Sequence, residues 1–308
     1  MMPRTLWKQA ASLVVLGRPL HLLGGALFYS LGAATAVYVG AALNWVTALG
    51  SLLAMLGAQL MAHYSNDFFD FDADLANPNP TQWSGGSRVL PAGHLPPQVA
   101  LIASLVFGML GLFLILWFAP QTPAPGLTLV VFLVAAFFAW SYSSPPIWLN
   151  RRRLGELFGA VTVPGSTLLL GFVVQRGSLE LLPLLVAVPL CLMQFGQLVT
   201  VNVPDAEGDR LVGKHTLIVW LGPDRMRGPY LAVLALAYLT LPIVMLAGLP
   251  WPVALAVLIT TPIALWLGFQ VIRGAWHKPA TWDALGFWSI GLIVGTALCQ
   301  FGAFLLLL

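Results

Sequence analysis

Nine apolar runs, each close to the length that crosses a bilayer as a helix, alternate with short polar segments along the chain. They cover residues 20–40, 44–65, 97–118, 126–142, 155–175, 180–202, 229–247, 251–272 and 284–307, the fourth being the shortest. The pattern predicts an all-α polytopic membrane protein with nine transmembrane helices in one bundle, residues 1–308 forming a single domain. The first run is rich in Gly and Ala, which lets helices approach closely in lipid. It is too long for the core of a signal peptide and lacks a convincing cleavage site, so it reads as a retained helix. Pro164-Gly165 predicts a kink in the fifth.

The polar positions are equally ordered. Directly after the second run comes Asn66-Asp67-Phe68-Phe69-Asp70-Phe71-Asp72-Ala73-Asp74. If the helix continues through it, the 100° step per residue puts Asn66, Asp67, Asp70 and Asp74 on one face, and Asp72 elsewhere. Upstream, the same face collects Gln59 and His63. Carboxylates at a helix C-terminus face the negative end of its dipole and repel one another. A bound cation reverses both penalties, and ligands that are all oxygen suit Mg²⁺. A second cluster repeats the arrangement after the sixth run, where Asn202 precedes Asp205 and Asp209, spaced i, i+4 like Asp70 and Asp74.

Composition agrees with the membrane reading. The chain is 59% hydrophobic and 8% charged, against about 25% charge in a soluble protein. With nine spans and the N-terminus inside, the inside segments hold thirteen of the fourteen Lys and Arg, Arg4, Lys8 and Arg18 among them, and only Arg176 falls outside. The expected topology is therefore N-terminus inside and C-terminus outside. The net charge of +3 records topology and gives no reason to expect nucleic acid. Trp251, Trp276 and Trp282 are expected as interfacial anchors. Cys191 and Cys299 lie within spans and read as packing residues, with no disulfide or zinc spacing.

Two inside loops frame the acids. The segment from Leu75 to Pro97 contains Gly85-Gly86-Ser87-Arg88, whose backbone can turn N–H groups toward an anion, although a plain turn also accounts for it. Tyr142-Ser143-Ser144-Pro145-Pro146 ends the fourth helix with a phenol and two hydroxyls. Arg151-Arg152-Arg153 then reads as a topogenic and lipid-headgroup anchor, the alternative being that one Arg reaches a phosphorylated ligand, and Glu156 is its expected ion-pair partner.

Seven acids (Asp67, Asp70, Asp72, Asp74, Asp205, Glu207 and Asp209) at the mouth of a greasy bundle repel anions unless metal mediates. With Mg²⁺ they become a receptor for phosphate oxygens. Arg88, Lys214 and Arg18 then neutralise the remaining charge, interfacial snorkelling being the plainer reading of Arg18. A diphosphate head with an apolar tail, an isoprenyl diphosphate, fits both halves.

These motifs, Asn66-Asp67-x-x-Asp70-x-x-x-Asp74 and Asp205-x-x-x-Asp209 in a nine-helix frame, resemble the UbiA superfamily of intramembrane aromatic prenyltransferases across essentially the whole chain. Either motif alone would be weak. The resemblance implies Mg²⁺ as cofactor, bound with the diphosphate by Asn66, Asp70, Asp74, Asn202, Asp205 and Asp209. Arg18, Arg88, Tyr142 and Lys214 are expected to bind diphosphate. Gly85-Gly86-Ser87-Arg88-Val89-Leu90, Tyr142-Ser143-Ser144-Pro145-Pro146 and Asp205-Ala206-Glu207-Gly208-Asp209-Arg210, running on to Gly213-Lys214-His215-Thr216-Leu217, resemble the branch acting on 1,4-dihydroxy-2-naphthoate in menaquinone synthesis.

The reaction implied is ionisation of an allylic C–O bond and attack on the allylic cation by an electron-rich aromatic carbon. Asp70 and Asp205 are the expected catalytic centres of the two motifs, with Asp67 assisting deprotonation of the acceptor. The partners are then a prenyl diphosphate, an aromatic acceptor and the lipid bilayer, at a multi-pass site in the cell membrane facing the cytoplasm. A related enzyme acting on 4-hydroxybenzoate or homogentisate is the alternative. A secondary transporter would also carry polar groups and a weak internal repeat, but with acids in mid-span. A non-catalytic cation-binding or lipid-binding membrane protein would need the acids without Arg88 and Lys214.

The topology is testable directly. Single Cys probes at Ala92 and Gly213, in a background without Cys191 and Cys299, are expected to react with a membrane-impermeant thiol reagent only from the cytoplasmic side. Labelling of either from outside would overturn the nine-span, N-inside arrangement.

Overall fold

A computed structural model describes residues 3–308, with side chains from residue 7 onward, so Arg4 lies outside the described side chains. Among the described residues there is no β-strand, only one isolated bridge between Arg152 and His215. In chain order the helices are α1 (Pro3–Leu16), α2 (Pro19–Tyr38), α3 (Trp45–Phe69), α4 (Phe71–Ala76), α5 (Pro97–Phe118), α6 (Pro125–Ser141), α7 (Gly155–Ala160), α8 (Thr167–Arg176), α9 (Leu181–Asn202), α10 (Ala206–Leu211), α11 (Leu217–Leu239), α12 (Leu241–Leu246), α13 (Trp251–Leu258), α14 (Thr261–Ile272) and α15 (Pro279–Leu307). The kink expected at Pro164-Gly165 is a π-helical turn, Val161–Ser166, joining α7 to α8.

The nine windows map onto this series with differences. Seven helices, counting Gly155–Arg176 and Leu217–Leu246 as continuous, are long and apolar enough to span a membrane. The α13–α14 pair makes an eighth if its bend of 42° lies within one span. The α6 helix is apolar but 17 residues long, so nine is reached only if it also crosses. Ahead of the seventh window, α11 is broken at the non-helical Gly222 (φ 76, ψ 161), which sets residues 217–221 off as a short helical segment before the longer helix. Helix α1 has no counterpart among the windows. It is short and amphipathic, with Trp7, Val14 and Val15 exposed and Leu16 buried. Trp251 is exposed as expected of an anchor, whereas Trp276 is buried and packs edge-on against Tyr230 at 5.0 Å. Packing beside Tyr230 outcompetes the interface for that ring.

Small residues set the packing, as they do where lipid supplies no hydrophobic drive between helices. Helices α3 and α5 meet at Gly57 and Gly111, where a Cβ on Gly57 would lie 2.9 Å from the Gly111 Cα. Helices α2 and α8 meet through Gly32 and Gly171, each with backbone of the partner where a Cβ would be. The opposite faces carry large exposed apolar side chains, among them Ile102, Met109, Phe113 and Trp117 on α5. Such a belt is what lipid-facing helices require.

The short helices α4 and α10, which carry the acids, pack directly on each other. A Cβ on Gly208 would stand 2.7 Å from the Ala73 carbonyl oxygen and 2.9 Å from the Asn77 Cα. Gly208 therefore fixes how closely the two acidic segments approach. Gly208→Val is expected to lower the melting temperature of the detergent-purified protein, consistent with an overpacking cost of about 1–3 kcal/mol. Gly126→Val, where a Cβ meets nothing within 4 Å, serves as control. Equal melting temperatures for the two variants would remove Gly208 from this role.

Candidate active site

The first motif straddles a bend. Helix α3 ends at Phe69 and the backbone turns at Asp70 (φ −98, ψ 6) before α4. The helical ladder survives it, since Asp70 N–H donates to the Asn66 carbonyl and Asp74 N–H to the Asp70 carbonyl, each at 2.9 Å. Asn66, Asp70 and Asp74 therefore stay on one side, as their spacing predicts. Asp67, Asp70 and Asp74 are buried, while Asp72 is exposed. The second motif repeats this after α9: Asp209 N–H donates to the Asp205 carbonyl at 2.9 Å, Asp209 is buried and Glu207 exposed.

Lys214 joins the two motifs. Its Nζ lies 3.0 Å from Asp70 Oδ2 and 3.2 Å from Asp209 Oδ1. Asn77 adds a second link by donating to Asp205 Oδ1 at 2.8 Å. Asp70 is the most heavily used acid. It accepts from Asn66 Nδ2 at 2.7 Å and from Asn150 Nδ2 at 3.0 and 3.2 Å. Asn66 Nδ2 also reaches Ser143 Oγ at 2.8 Å. Sequence reasoning singled out neither Asn150, in a one-turn 3₁₀ helix, nor Asn77, at the end of α4, because such short elements have no periodicity to mark a face.

Arg18 and the Gly85–Arg88 turn enclose the first motif. Arg18 donates to Asn66 Oδ1 at 3.1 Å and forms an ion pair with Asp67. The Ser87 N–H (3.1 Å) and hydroxyl donate to the other Asp67 oxygen. Arg88 donates to the Asp74 carbonyl oxygen. Gly86 has φ +71, and a Cβ there would collide with the Asp74 carboxylate, so both conformation and space demand glycine. Arg18 (φ 51) and Arg88 (φ 63) themselves adopt left-handed backbone, which costs a non-glycine residue about 1–2 kcal/mol.

The surroundings of Glu156 differ from expectation. It is fully buried and accepts from Asn202 Nδ2 at 3.0 Å and from the Leu217 N–H at 2.9 Å, and the arginine triplet is directed elsewhere. Arg153, itself left-handed at φ 65, lies over the Trp220 ring at 4.6 Å, and Arg152 donates to the Pro146 carbonyl at 3.0 Å. Arg151 donates to the Phe69 carbonyl at 2.9 Å, placing a cation at the C-terminal end of α3 where the acids begin. Tyr142 is half-buried in the combined field of Glu156, Lys214, Asp70 and Asp209.

Crowding shows in the protonation equilibria. Burial, reinforced by Asp70 and Asp67, pushes the Asp74 carboxyl well above its usual range. Burial also raises Asp209 to about 7, with Asp205 and Asp70 adding to it and Lys214 opposing. Burial raises Asp205 too, against the pull of Lys214. For Lys214 burial disfavours the charge, but Asp70 and Asp209 more than offset it and hold the ammonium protonated.

Such a cluster gains from added positive charge. Among the described residues no three Asp, Glu, His or Cys side chains converge as a ready-made metal cage. The donor set nevertheless fits Mg²⁺, which commonly takes only one or two carboxylates and completes its shell with phosphate and water. Asp209 Oδ2, buried with no partner, is one oxygen available to it.

Known proteins share this architecture. A UbiA homolog from Archaeoglobus fulgidus, solved bound to DMAPP and Mg²⁺, superimposes with a TM-score of 0.61 at 17% identity, covering 94% of this chain and 99% of that one. UbiA prenyltransferase domain-containing protein 1 of Rattus norvegicus is 27% identical over 283 residues, 90% of this chain and 80% of the relative. The 1,4-dihydroxy-2-naphthoate octaprenyltransferase of Bacillus subtilis is 21% identical over 230 residues, 72% of this chain and 70% of the relative. Residues 26–291 match the model of the UbiA prenyltransferase family, and this multi-pass membrane protein belongs to that family of prenyltransferases.

Proposed function

We propose that the protein transfers a polyprenyl group from a prenyl diphosphate to 1,4-dihydroxy-2-naphthoate, in a Mg²⁺-dependent step of menaquinone synthesis at the cytoplasmic face of the cell membrane. The observation that carries the reading is the bridge from Lys214 to both Asp70 and Asp209, which gathers two distant acidic motifs and a buried cation at one end of an apolar bundle. The naphthoate acceptor is supported by the naphthoate prenyltransferase relative and by the three loop stretches that resemble that branch.

In this reading Asn66, Asp70, Asp74, Asn202, Asp205 and Asp209 hold the metal, and Mg²⁺ supplies Lewis-acid stabilisation of charge on the departing diphosphate. Lys214, Arg88, Arg18 and Tyr142 donate to the remaining diphosphate oxygens. Lys214 is already desolvated and charged, so turning it from carboxylate to phosphate requires little reorganisation. The apolar helices exclude water from the allylic cation. Asp67 is engaged on both oxygens by Arg18 and Ser87. Its first task is therefore to hold Arg18, and a base role for it requires exchanging one of those contacts.

Chelation with EDTA is expected to abolish transfer and added Mg²⁺ to restore it, and Asp70→Ala and Asp205→Ala each to lose at least about a hundredfold in turnover while remaining folded. Purified protein offered labelled prenyl diphosphate with a panel of naphthoate, 4-hydroxybenzoate and homogentisate acceptors should prenylate the naphthoate. Product from another acceptor alone would move the assignment, and full activity in EDTA would end the metal proposal.

The cations separate by position. Lys214→Gln and Arg88→Gln should each lower kcat/KM for prenyl diphosphate by roughly ten- to a thousandfold, as expected for loss of a charge-assisted phosphate contact. Arg152→Gln, at an exposed carbonyl, should change it by less than about threefold. Arg151→Gln should fall between, through the end of α3. Kinetics at saturating acceptor decide this ranking, and an activity loss confined to Arg152→Gln would place the diphosphate in the wrong loop.

A further inference from the structure

Glu156 has no counterpart in either acidic motif. It sits in the first turn of α7 and is 0% exposed. One oxygen, Oε1, accepts both the Asn202 amide and the N–H of Leu217, the first residue of α11. The other, Oε2, is buried without a partner, and no Lys or Arg among the described residues forms an ion pair with either. The carboxylate thus satisfies the otherwise unpaired N–H at the start of α11 with no cation paired to it among the described residues. An apolar residue of similar size would avoid burying a carboxylate, so packing alone does not account for an acid at this position.

A carboxylate oxygen can only accept a hydrogen bond. Facing one, Asn202 must present its NH₂, which leaves Oδ1 as its acceptor end, three residues before Asp205 in the chain. We infer that Glu156 is a positioning residue: it fixes the amide of Asn202 so that Oδ1 is offered to the metal and diphosphate, and it tethers the start of α11 close behind Lys214. The inference rests on the reading that Asn202 is a metal ligand. It assigns Glu156 the place held in other metal sites by groups that orient a ligand from behind, whose loss typically weakens metal binding about 10–100-fold.

The test uses the detergent-purified full chain, with Mn²⁺ as the metal probe in the presence of inorganic diphosphate. Binding is read from the electron paramagnetic resonance signal of free Mn²⁺, independently of turnover. Glu156→Ala and Asn202→Ala should each raise the Mn²⁺ dissociation constant by about tenfold. The double variant should be no worse than either single one, because both remove the same oriented oxygen. Glu156→Gln should stay within about threefold of the parent, since the Leu217 N–H keeps the amide oxygen turned toward Asn202.

Glu156→Leu, an apolar side chain of similar size that cannot accept a hydrogen bond, should weaken Mn²⁺ binding as Glu156→Ala does, while Glu156→Gln keeps it. The contrast between the Leu and Gln variants decides the matter even if Glu156→Ala does not fold. Unchanged Mn²⁺ affinity in Asn202→Ala would overturn the metal reading of Asn202, and the inference with it. Weakened binding in Asn202→Ala, together with unchanged binding in Glu156→Ala or Glu156→Leu, would overturn the role of Glu156 alone.

Discussion

Everything at the acidic end of the bundle depends on balancing buried negative charge. Asp67, Asp70, Asp74 and Asp209 are all buried, and the first two lie at the C-terminal end of α3, where carboxylates repel one another and oppose the helix dipole. The fold answers with cations placed one by one. Lys214 lies between Asp70 and Asp209, Arg18 pairs with Asp67, and Arg151 caps the carbonyl end of α3. Amide donors from Asn66, Asn150 and Asn77 take up further oxygens of Asp70 and Asp205. Burial first, and neighbouring carboxylates second, still push the Asp74 and Asp209 carboxyls above their usual range, so added positive charge would relieve both.

That balance also explains the shapes of the loops. Arg18 and Arg88 accept left-handed backbone to bring their guanidinium groups onto the first motif, and Gly86 leaves room for the Asp74 carboxylate. Strain at these positions is tolerated because ion pairs and hydrogen bonds over-determine the local structure. Gly208 serves the same end from the other side, letting α10 lie against α4 so that two acidic segments share one set of cations.

Below this polar layer the bundle is mainly apolar, with a few buried, hydrogen-bonded polar groups such as Gln194, Gln197 and Thr200 on α9. Helix pairs close on glycine, and lipid-facing surfaces are left apolar. The division suits the proposed ionisation of an allylic diphosphate: the charged group would be handled where donors are dense, and the hydrocarbon part kept where water is excluded.

The sequence by itself determined the membrane class, most helix boundaries and the two acidic motifs. Span length, proline and glycine punctuation, and i, i+4 spacing are local properties that bilayer thickness and helix geometry impose directly. The tertiary structure decided which groups meet. Lys214 and Asp70 are 144 residues apart and Asn77 and Asp205 are 128 apart, and no periodicity pairs them. Glu156, three residues beyond an arginine triplet, invited an ion pair by proximity. The left-handed turn at Arg153 and the pairing of Arg152 with His215 send those arginines elsewhere, and Asn202 with the start of α11 takes the carboxylate instead. Trp276 left the interface for the core for a similar reason, since burial against Tyr230 was available only once distant segments had packed. Partners of loop residues follow from how the loops cross the bundle end, a geometry created only when all the helices are in place.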